Sequence, residues 1–224
     1  MGRLEGAIKA KGKELGFDIV RIATAEPFQR DEMAALKRIR DGHMDGLPWY
    51  TEERVRRGTH PAELLPNAKS IVSVAISYHT GEPERNGDGP AGRVARYAWG
   101  DDYHAVIKAK LRALADVLPD IAGVPVASRL FVDDGAMLDR AAAERSGVGW
   151  FGKNTNILTA GHGSWVFLGQ LVTDLRLVPD PPLKKTCGEC VRCIPACPTN
   201  AIVAPYVIDN TRCISYLTIE LRGA

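Results

Sequence analysis

Five cysteines restrict this 224-residue chain more than any other feature, and four of them stand in one run, Cys187-Gly-Glu-Cys190-Val-Arg-Cys193-Ile-Pro-Ala-Cys197-Pro198. The intervals of two, two and three residues, with proline straight after the last cysteine, are those of the bacterial ferredoxin run that binds iron–sulfur clusters. Three thiolates on a tight loop each reach a different iron on one face of a cuboidal cluster. The fourth, turned by Pro198, points elsewhere, and in two-cluster ferredoxins it ligates the other cluster. Cys213 remains as the partner for Cys197. A structural zinc site would draw its thiolates from two separated knuckles, because one tetrahedral ion needs ligands from two directions. A disulfide framework fits an odd, crowded set of cysteines poorly. Two four-iron clusters take four thiolates each, so either three ligands come from outside these residues or the chain is a fragment of something longer.

The composition, 45% hydrophobic and 25% charged, is that of an ordinary soluble globular protein. A formal charge of +2 gives no global signal for nucleic acid. Lys37, Arg38, Arg40, Arg54, Arg56 and Arg57 concentrate positive charge locally, which a solvated helix face explains more simply than a phosphate track. No apolar run reaches the length of a membrane span. The N-terminal Met1-Gly-Arg-Leu-Glu-Gly6 carries neither a hydrophobic signal region nor a myristoylation site, and a twin-arginine signal is also missing. Thiolates reserved for clusters suit a reducing compartment, so the expected location is the cytoplasm, without membrane contact.

Leu4, Ile8 and Leu15 recur at helical spacing and Gly16 follows as a stop. Residues 18–22 alternate as a strand, and Met33, Leu36 and Ile39 mark a second helix before a loop over 42–48. Ser70-Ile-Val-Ser-Val-Ala-Ile-Ser77 suits a strand buried on both faces and central to its sheet. Gly81 to Gly92 has the composition of a mobile loop. Tyr103, Ile107, Leu111, Leu114 and Leu118 then predict a long amphipathic helix stopped by Pro119. A strand over 128–132 and a helix over 137–145 follow. Residues 156–158 and 165–172 flank Gly161-His-Gly163, which predicts a hairpin with a glycine turn. Strands alternating with helices indicate an α/β or α+β body, and Pro179-Asp-Pro-Pro182 reads as a stiff joint. The expected organisation is a body over 1–178 and a cluster module over 179–224.

Asp133-Asp134 sits between a predicted strand and a predicted helix, where α/β proteins place working residues. Aspartate there commonly caps the helix. Both roles are compatible, one carboxylate capping while the other, against apolar walls, keeps a raised pKa as a general acid. Trp150-Phe-Gly-Lys-Asn-Thr155 gathers a glycine, a cation and two hydrogen-bonding side chains in one turn that can hold a polar ligand, without P-loop spacing. Asp102-Tyr-His104 nearly opens a cobalt-ligating histidine pattern, but Ile107 takes the glycine position, and His104 reads as a helix-start residue.

Val132-Asp-Asp-Gly135, Gly149-Trp-Phe-Gly-Lys-Asn-Thr155, Gly163-Ser-Trp-Val-Phe-Leu-Gly169, the cysteine run and Arg212-Cys-Ile-Ser-Tyr-Leu-Thr-Ile-Glu220 together resemble epoxyqueuosine reductases. Arg96-Tyr-Ala-Trp-Gly-Asp-Asp-Tyr-His104 and Leu64-Leu-Pro-Asn-Ala-Lys-Ser70 look like the N-terminal half of the same family. The resemblance implies a cytoplasmic, monomeric oxidoreductase whose α/β (α+β) body binds cobalamin, followed by a ferredoxin-like module with two 4Fe-4S clusters. It implies reduction of the epoxide of epoxyqueuosine in a tRNA anticodon stem-loop to queuosine, with electrons from an external reductant. Asp133 takes the place of the family's catalytic aspartate, and Asp134 falls where the family usually has a small residue. Lys153, Asn154, Thr155, Tyr97, Leu168 and Ser215 are the implied cobalamin contacts, joined by Arg56 or Arg57, between which the sequence does not choose. By the family pattern Cys187, Cys190 and Cys193 hold one cluster short of a ligand, and Cys197 and Cys213 hold the other short of two. Relatives run on past the position of Ala224, so the expectation is a chain missing its C-terminal part. An iron–sulfur electron carrier and a cobalamin-dependent reductive dehalogenase are the alternatives.

Overall fold

The computed structural model describes residues 2–81, 89, 92 and 94–222. Its elements in chain order are α1 (Arg3–Glu14), β1 (Ile19–Thr24), α2 (Gln29–Arg40), α3 (Glu52–Thr59), α4 (Pro61–Leu64) and β2 (Ser70–Ser77). Then come α5 (Tyr103–Ala122), β3 (Ser128–Phe131), α6 (Asp139–Ser146), β4 (Trp150–Phe151), β5 (Ile157–Leu158), β6 (Val166–Thr173), β7 (Ile202–Ala204) and β8 (Val207–Ile208). The main sheet has the order β1-β2-β6-β3 and every neighbouring pair is antiparallel. The body is therefore mixed α/β of the α+β kind.

β2 is interior, as its β-branched run predicts, and its first six residues are all buried. The cause is a layer of helices on each face. On one face, Ile8 of α1 and Ile107, Leu111, Leu114 and Leu118 of α5 pack against Val20, Ile22, Val72, Val74 and Leu171. On the other, Ala141 and Ala142 of α6 meet Ala23, Ile71, Phe131 and Val172. Each aliphatic side chain so buried contributes roughly 1.5–3 kcal/mol, and this burial, more than helix propensity, fixes α5 to the sheet.

Three expectations are revised. α5 continues past Pro119 to Ala122, because a proline in the last turn removes one hydrogen bond without ending the apolar stripe. Gly123, with φ of 70°, stops it, and its N–H donates to the Pro119 carbonyl at 2.8 Å. The hairpin expected between residues 156–158 and 165–172 does not form. β6 is taken on both edges by β2 and β3, so β5 pairs with β4, and the Gly161-His-Gly163 turn closes only on Thr159. In α2 the buried residue is Ala35, while Met33 is 66% exposed, because α2 rests on α3. The loop expected over 81–92 lies, apart from Gly81, Gly89 and Gly92, outside the described residues.

The proline-rich joint is fastened to the body. Asp180 accepts the Ile22 N–H at 2.9 Å and pairs with the Lys9 ammonium at 2.6 Å, and Arg21 donates to the Pro181 carbonyl at 3.1 Å. Among the described residues no helix is long and apolar enough to cross a membrane.

Candidate active site

The loop from β3 to α6 carries the two aspartates singled out by the sequence, and neither caps the helix. α6 starts at Asp139, with Leu138 at its N-cap and no side-chain cap. Asp133 instead stands exposed in the left-handed region at φ of 54°, a conformation costly for a non-glycine residue and concentrated at functional sites. Its Oδ2 accepts the Tyr103 hydroxyl at 3.0 Å. Burial and then the neighbouring Asp133 charge push the Tyr103 phenol far up, so it stays a donor. The Tyr103 ring is held by Phe167, parallel to within 1° at 4.1 Å, and by His104 at 4.0 Å. His104 is the helix-start histidine expected, its N–H and Nδ1 both on Asp102.

Asp134 pairs with Lys108 and accepts the Val132 N–H at 3.2 Å. Burial pushes its carboxyl up, but the Lys108 ammonium and the Val132 amide outweigh that, and the net direction is downward. It is a local brace for the loop. α3 braces the same loop from the other side: Arg54 donates to the Gly135 carbonyl, and Gly58 lies so close to the Ala136 carbonyl that any Cβ would overlap it.

A third carboxyl, Asp139, escapes the sequence reading because it falls inside a predicted helix. It is half-buried, with Oδ1 shielded from water and without a hydrogen-bond partner. Burial, and then the charge of Asp133, push it up to about 7. Its position at the first turn of α6, just after the loop, is the one signal that could have found it.

The candidate cofactor contacts fall in several places. Lys153, Asn154 and Thr155 form a partly buried turn after β4, in which Asn154 Oδ1 accepts the Asn156 N–H and Thr155 takes φ of 67°. Arg140, next to Asp139, donates to the Thr155 carbonyl at 3.3 Å, tying this turn to the aspartate corner. Leu168 packs in the cluster around Ala75, Val148 and Ile157 that backs the turn. Tyr97 is 41% exposed, in a 3-10 turn over Arg96–Ala98. Arg56 pairs with Glu52 at 2.6 Å, Arg57 is exposed on α3, and Ser215 is exposed in the module. The other local basic residues are partly spoken for: Lys37 pairs with Asp41, and Arg38 donates to the Tyr206 carbonyl.

The module is bonded to the same turn. Lys153 donates to the Gly188 carbonyl at 2.7 Å, inside the cysteine run, and its own carbonyl accepts the Tyr206 N–H at 2.9 Å. All five cysteines are free. Among the described residues no three metal-binding side chains converge on one ion. Cluster ligands need no such convergence, since each thiolate takes a separate iron. Burial raises the Cys197 thiol, but the Ala201 and Ile202 amides outweigh this and bring it to about 7, which favours the metal-binding thiolate.

A cysteine-rich loop hydrogen-bonded to a body that presents a strained aspartate suits a protein built on iron–sulfur clusters. A family model described as a 4Fe-4S double cluster binding domain matches residues 186–224, and one described as epoxyqueuosine reductase QueG, DUF1730 matches residues 58–134. The epoxyqueuosine reductase of Cellulophaga algicola is 41% identical over 216 residues, 96% of this chain and 69% of that protein. The chain belongs to the epoxyqueuosine reductase family. Among solved structures, epoxyqueuosine reductase from Streptococcus thermophilus superposes with a TM-score of 0.91 at 29% identity, over 99% of this chain and 59% of that one. An epoxyqueuosine reductase with an epoxyqueuosine-modified tRNA-Tyr stem loop superposes at 0.84 with 35% identity, over 96% of this chain and 57% of that one. Reductive dehalogenases share the fold, at a TM-score of 0.54 and 20% identity.

Proposed function

We propose that the chain, with body 1–178 and cluster module 179–224, reduces the epoxide of epoxyqueuosine in a tRNA anticodon stem-loop to queuosine. What carries this reading is the placement of an exposed, conformationally strained acid, Asp133, on a body whose 153–155 turn is hydrogen-bonded directly to the cysteine loop. In this reading Cys187, Cys190 and Cys193 ligate one 4Fe-4S cluster and Cys197 and Cys213 belong to the second. The five free thiols suit this assignment.

Cobalamin is the second cofactor we assign. Trp150 Nε1 and Asn210 Nδ2 are buried donors without partners, one beside the 153–155 turn and one in the module near Ser215. A corrin ring fringed with amides supplies the acceptors they lack, so the residues present fit it. Lys153, Asn154 and Thr155 would hold its polar rim, Leu168 would give an apolar wall, and Tyr97, Ser215 and Arg56 or Arg57 would add outer contacts. Bound there, reduced cobalt would supply electrons to the epoxide. The protein's part is to hold the acid. Tyr103 keeps the Asp133 side chain oriented, and Asp133 gives a proton to the departing oxygen.

The nucleic-acid side of the reading has support in a groove of ≈ 500 Å³ lined by Ser77, His79, Gly161, His162, Gly163 and Trp165. Trp165 there meets Tyr78 and His79 edge-on, Arg96 lies over its ring, and Tyr78 continues through Phe167 to Tyr103. Splayed-out bases are commonly held on such aromatic and guanidinium faces. The test is anaerobic incubation of the cluster- and cobalamin-loaded protein with reductant and an epoxyqueuosine-bearing stem-loop, followed by nucleoside mass spectrometry. Conversion to queuosine supports the reading, and intact epoxide with both cofactors bound would reject it.

A further inference from the structure

The backbone of Asp133 needs an external hold. A non-glycine residue in the left-handed region persists only where its surroundings over-determine it, and the Asp133 φ of 54° falls two residues before the Gly135 carbonyl that receives the Arg54 guanidinium. Tyr103 bonds the Asp133 side chain, whereas Arg54 bonds the main chain of the loop. Arg54 is badly placed for its own helix. Thr51 caps α3 by accepting the Arg54 N–H at 3.1 Å, which puts Arg54 in the first turn, and a cation there faces the positive end of the helix dipole. Glu52 and Glu53 beside it are the charges that such a turn favours. The guanidinium therefore serves something outside α3.

It sits between two groups that suit it. Its Cζ lies 5.0 Å from the centre of the Trp49 ring, and its Nη2 donates to the Gly135 carbonyl. A planar guanidinium can lie on an indole face and donate from its edge at the same time, which an ammonium cannot do. Trp49 is 44% exposed, so packing alone does not account for a tryptophan there. Its ring is set by Tyr50, edge-on at 5.7 Å, and by its own Nε1, which donates to Glu220 at 3.4 Å. The loop that carries it is tied to the module as well, since the Asn210 N–H donates to the His43 carbonyl at 2.8 Å. The platform under Arg54 is thus fixed from the module side, independently of the Asp133 loop. We propose that Arg54, seated on Trp49, is a positioning residue for the epoxide reduction, holding the Gly135 carbonyl so that Asp133 keeps the left-handed backbone that aims its carboxyl. The part of this that concerns turnover rests on the reduction proposed above.

Arg54→Ala leaves a seat the size of a guanidinium, so that ion is the probe. In the protein without cofactors, hydrogen exchange at the 133–137 amides should quicken roughly tenfold in Arg54→Ala, the scale of one lost charge-assisted hydrogen bond. Guanidinium chloride, well below denaturing concentration, should restore most of the protection, while equal sodium chloride or urea should not. The double variant Arg54→Ala, Trp49→Leu should show no such recovery. In the loaded enzyme, Arg54→Ala should lower kcat about tenfold with KM unchanged, and guanidinium should raise it again. Arg54→Lys, which keeps the charge and loses the flat contact, should show a smaller change in both readouts, and it decides the matter alone if the alanine variant does not fold. Wild-type exchange in the variant, equal recovery with urea or sodium chloride, or rescue that survives the loss of Trp49 overturns the inference. Absence of queuosine from the loaded wild type overturns the reduction and leaves the exchange result to decide the seat. Faster exchange at wild-type kcat in a productive enzyme overturns this inference alone.

Discussion

The Tyr103 hydroxyl meets Asp133 Oδ2 at 3.0 Å while its ring lies flat against Phe167, so the acid is aimed by a side chain that is itself clamped. Tyr103→Phe keeps the stack and loses the donor. A hydrogen bond to a charged group is worth about 1.5–3 kcal/mol, so kcat should fall roughly tenfold or more while the urea midpoint barely moves. Unchanged kcat would mean that the loop is oriented by its backbone alone.

Asp133→Asn removes the proton and keeps the shape, and turnover should fall by about a hundred- to ten-thousand-fold with clusters and corrinoid retained. Asp134→Asn breaks only the half-exposed pair with Lys108, a loss of about 0–1 kcal/mol in stability and little in rate. Turnover measured for both variants under one condition separates the roles, and equal losses would count against Asp133 as proton donor.

Gly58→Ala tests how the loop is held from α3. The added methyl has to displace the Ala136 carbonyl, which should cost about 1–3 kcal/mol in a thermal melt and lower kcat through the moved Asp133. A variant as active and stable as wild type would show that α3 yields instead.

Cys190→Ser should lower iron content and the broad visible absorbance after anaerobic reconstitution, because a hard oxygen ligand replaces a soft thiolate. Iron equal to wild type would remove Cys190 from the ligand set.

The parts of the fold legible in the sequence are those where one residue pattern has one physical meaning. The β-branched run of β2 belongs inside a sheet covered on both faces, and the stripe from Ile107 to Leu118 belongs on a helix against it. Strand partners were not legible, since the apolar character of Phe167 and Leu171 does not say which neighbour takes each edge of β6. At the candidate site, Asp133 stands out in the sequence through its motif, and the structure adds its left-handed backbone. The role of Tyr103 was hidden because its ring fits the apolar stripe that its hydroxyl leaves, and Asp139 was hidden because helix periodicity does not mark where a helix begins.

The place of β6 between β2 and β3 also sets an order of assembly. Among the described residues β3 has no strand partner except β6, so the segment that leads into Asp133 can pack on α5 but joins the sheet only when residues up to Thr173 are available. During synthesis the hairpin-like pairing of β1 with β2 can form early. The Asp133 corner is completed only after the chain has passed through α6, β4 and β5 and returned to the middle of the sheet. An interruption of translation anywhere before that return leaves a half-sheet with an open apolar edge at β2, which makes such fragments targets for chaperones and proteases before they hold any cofactor.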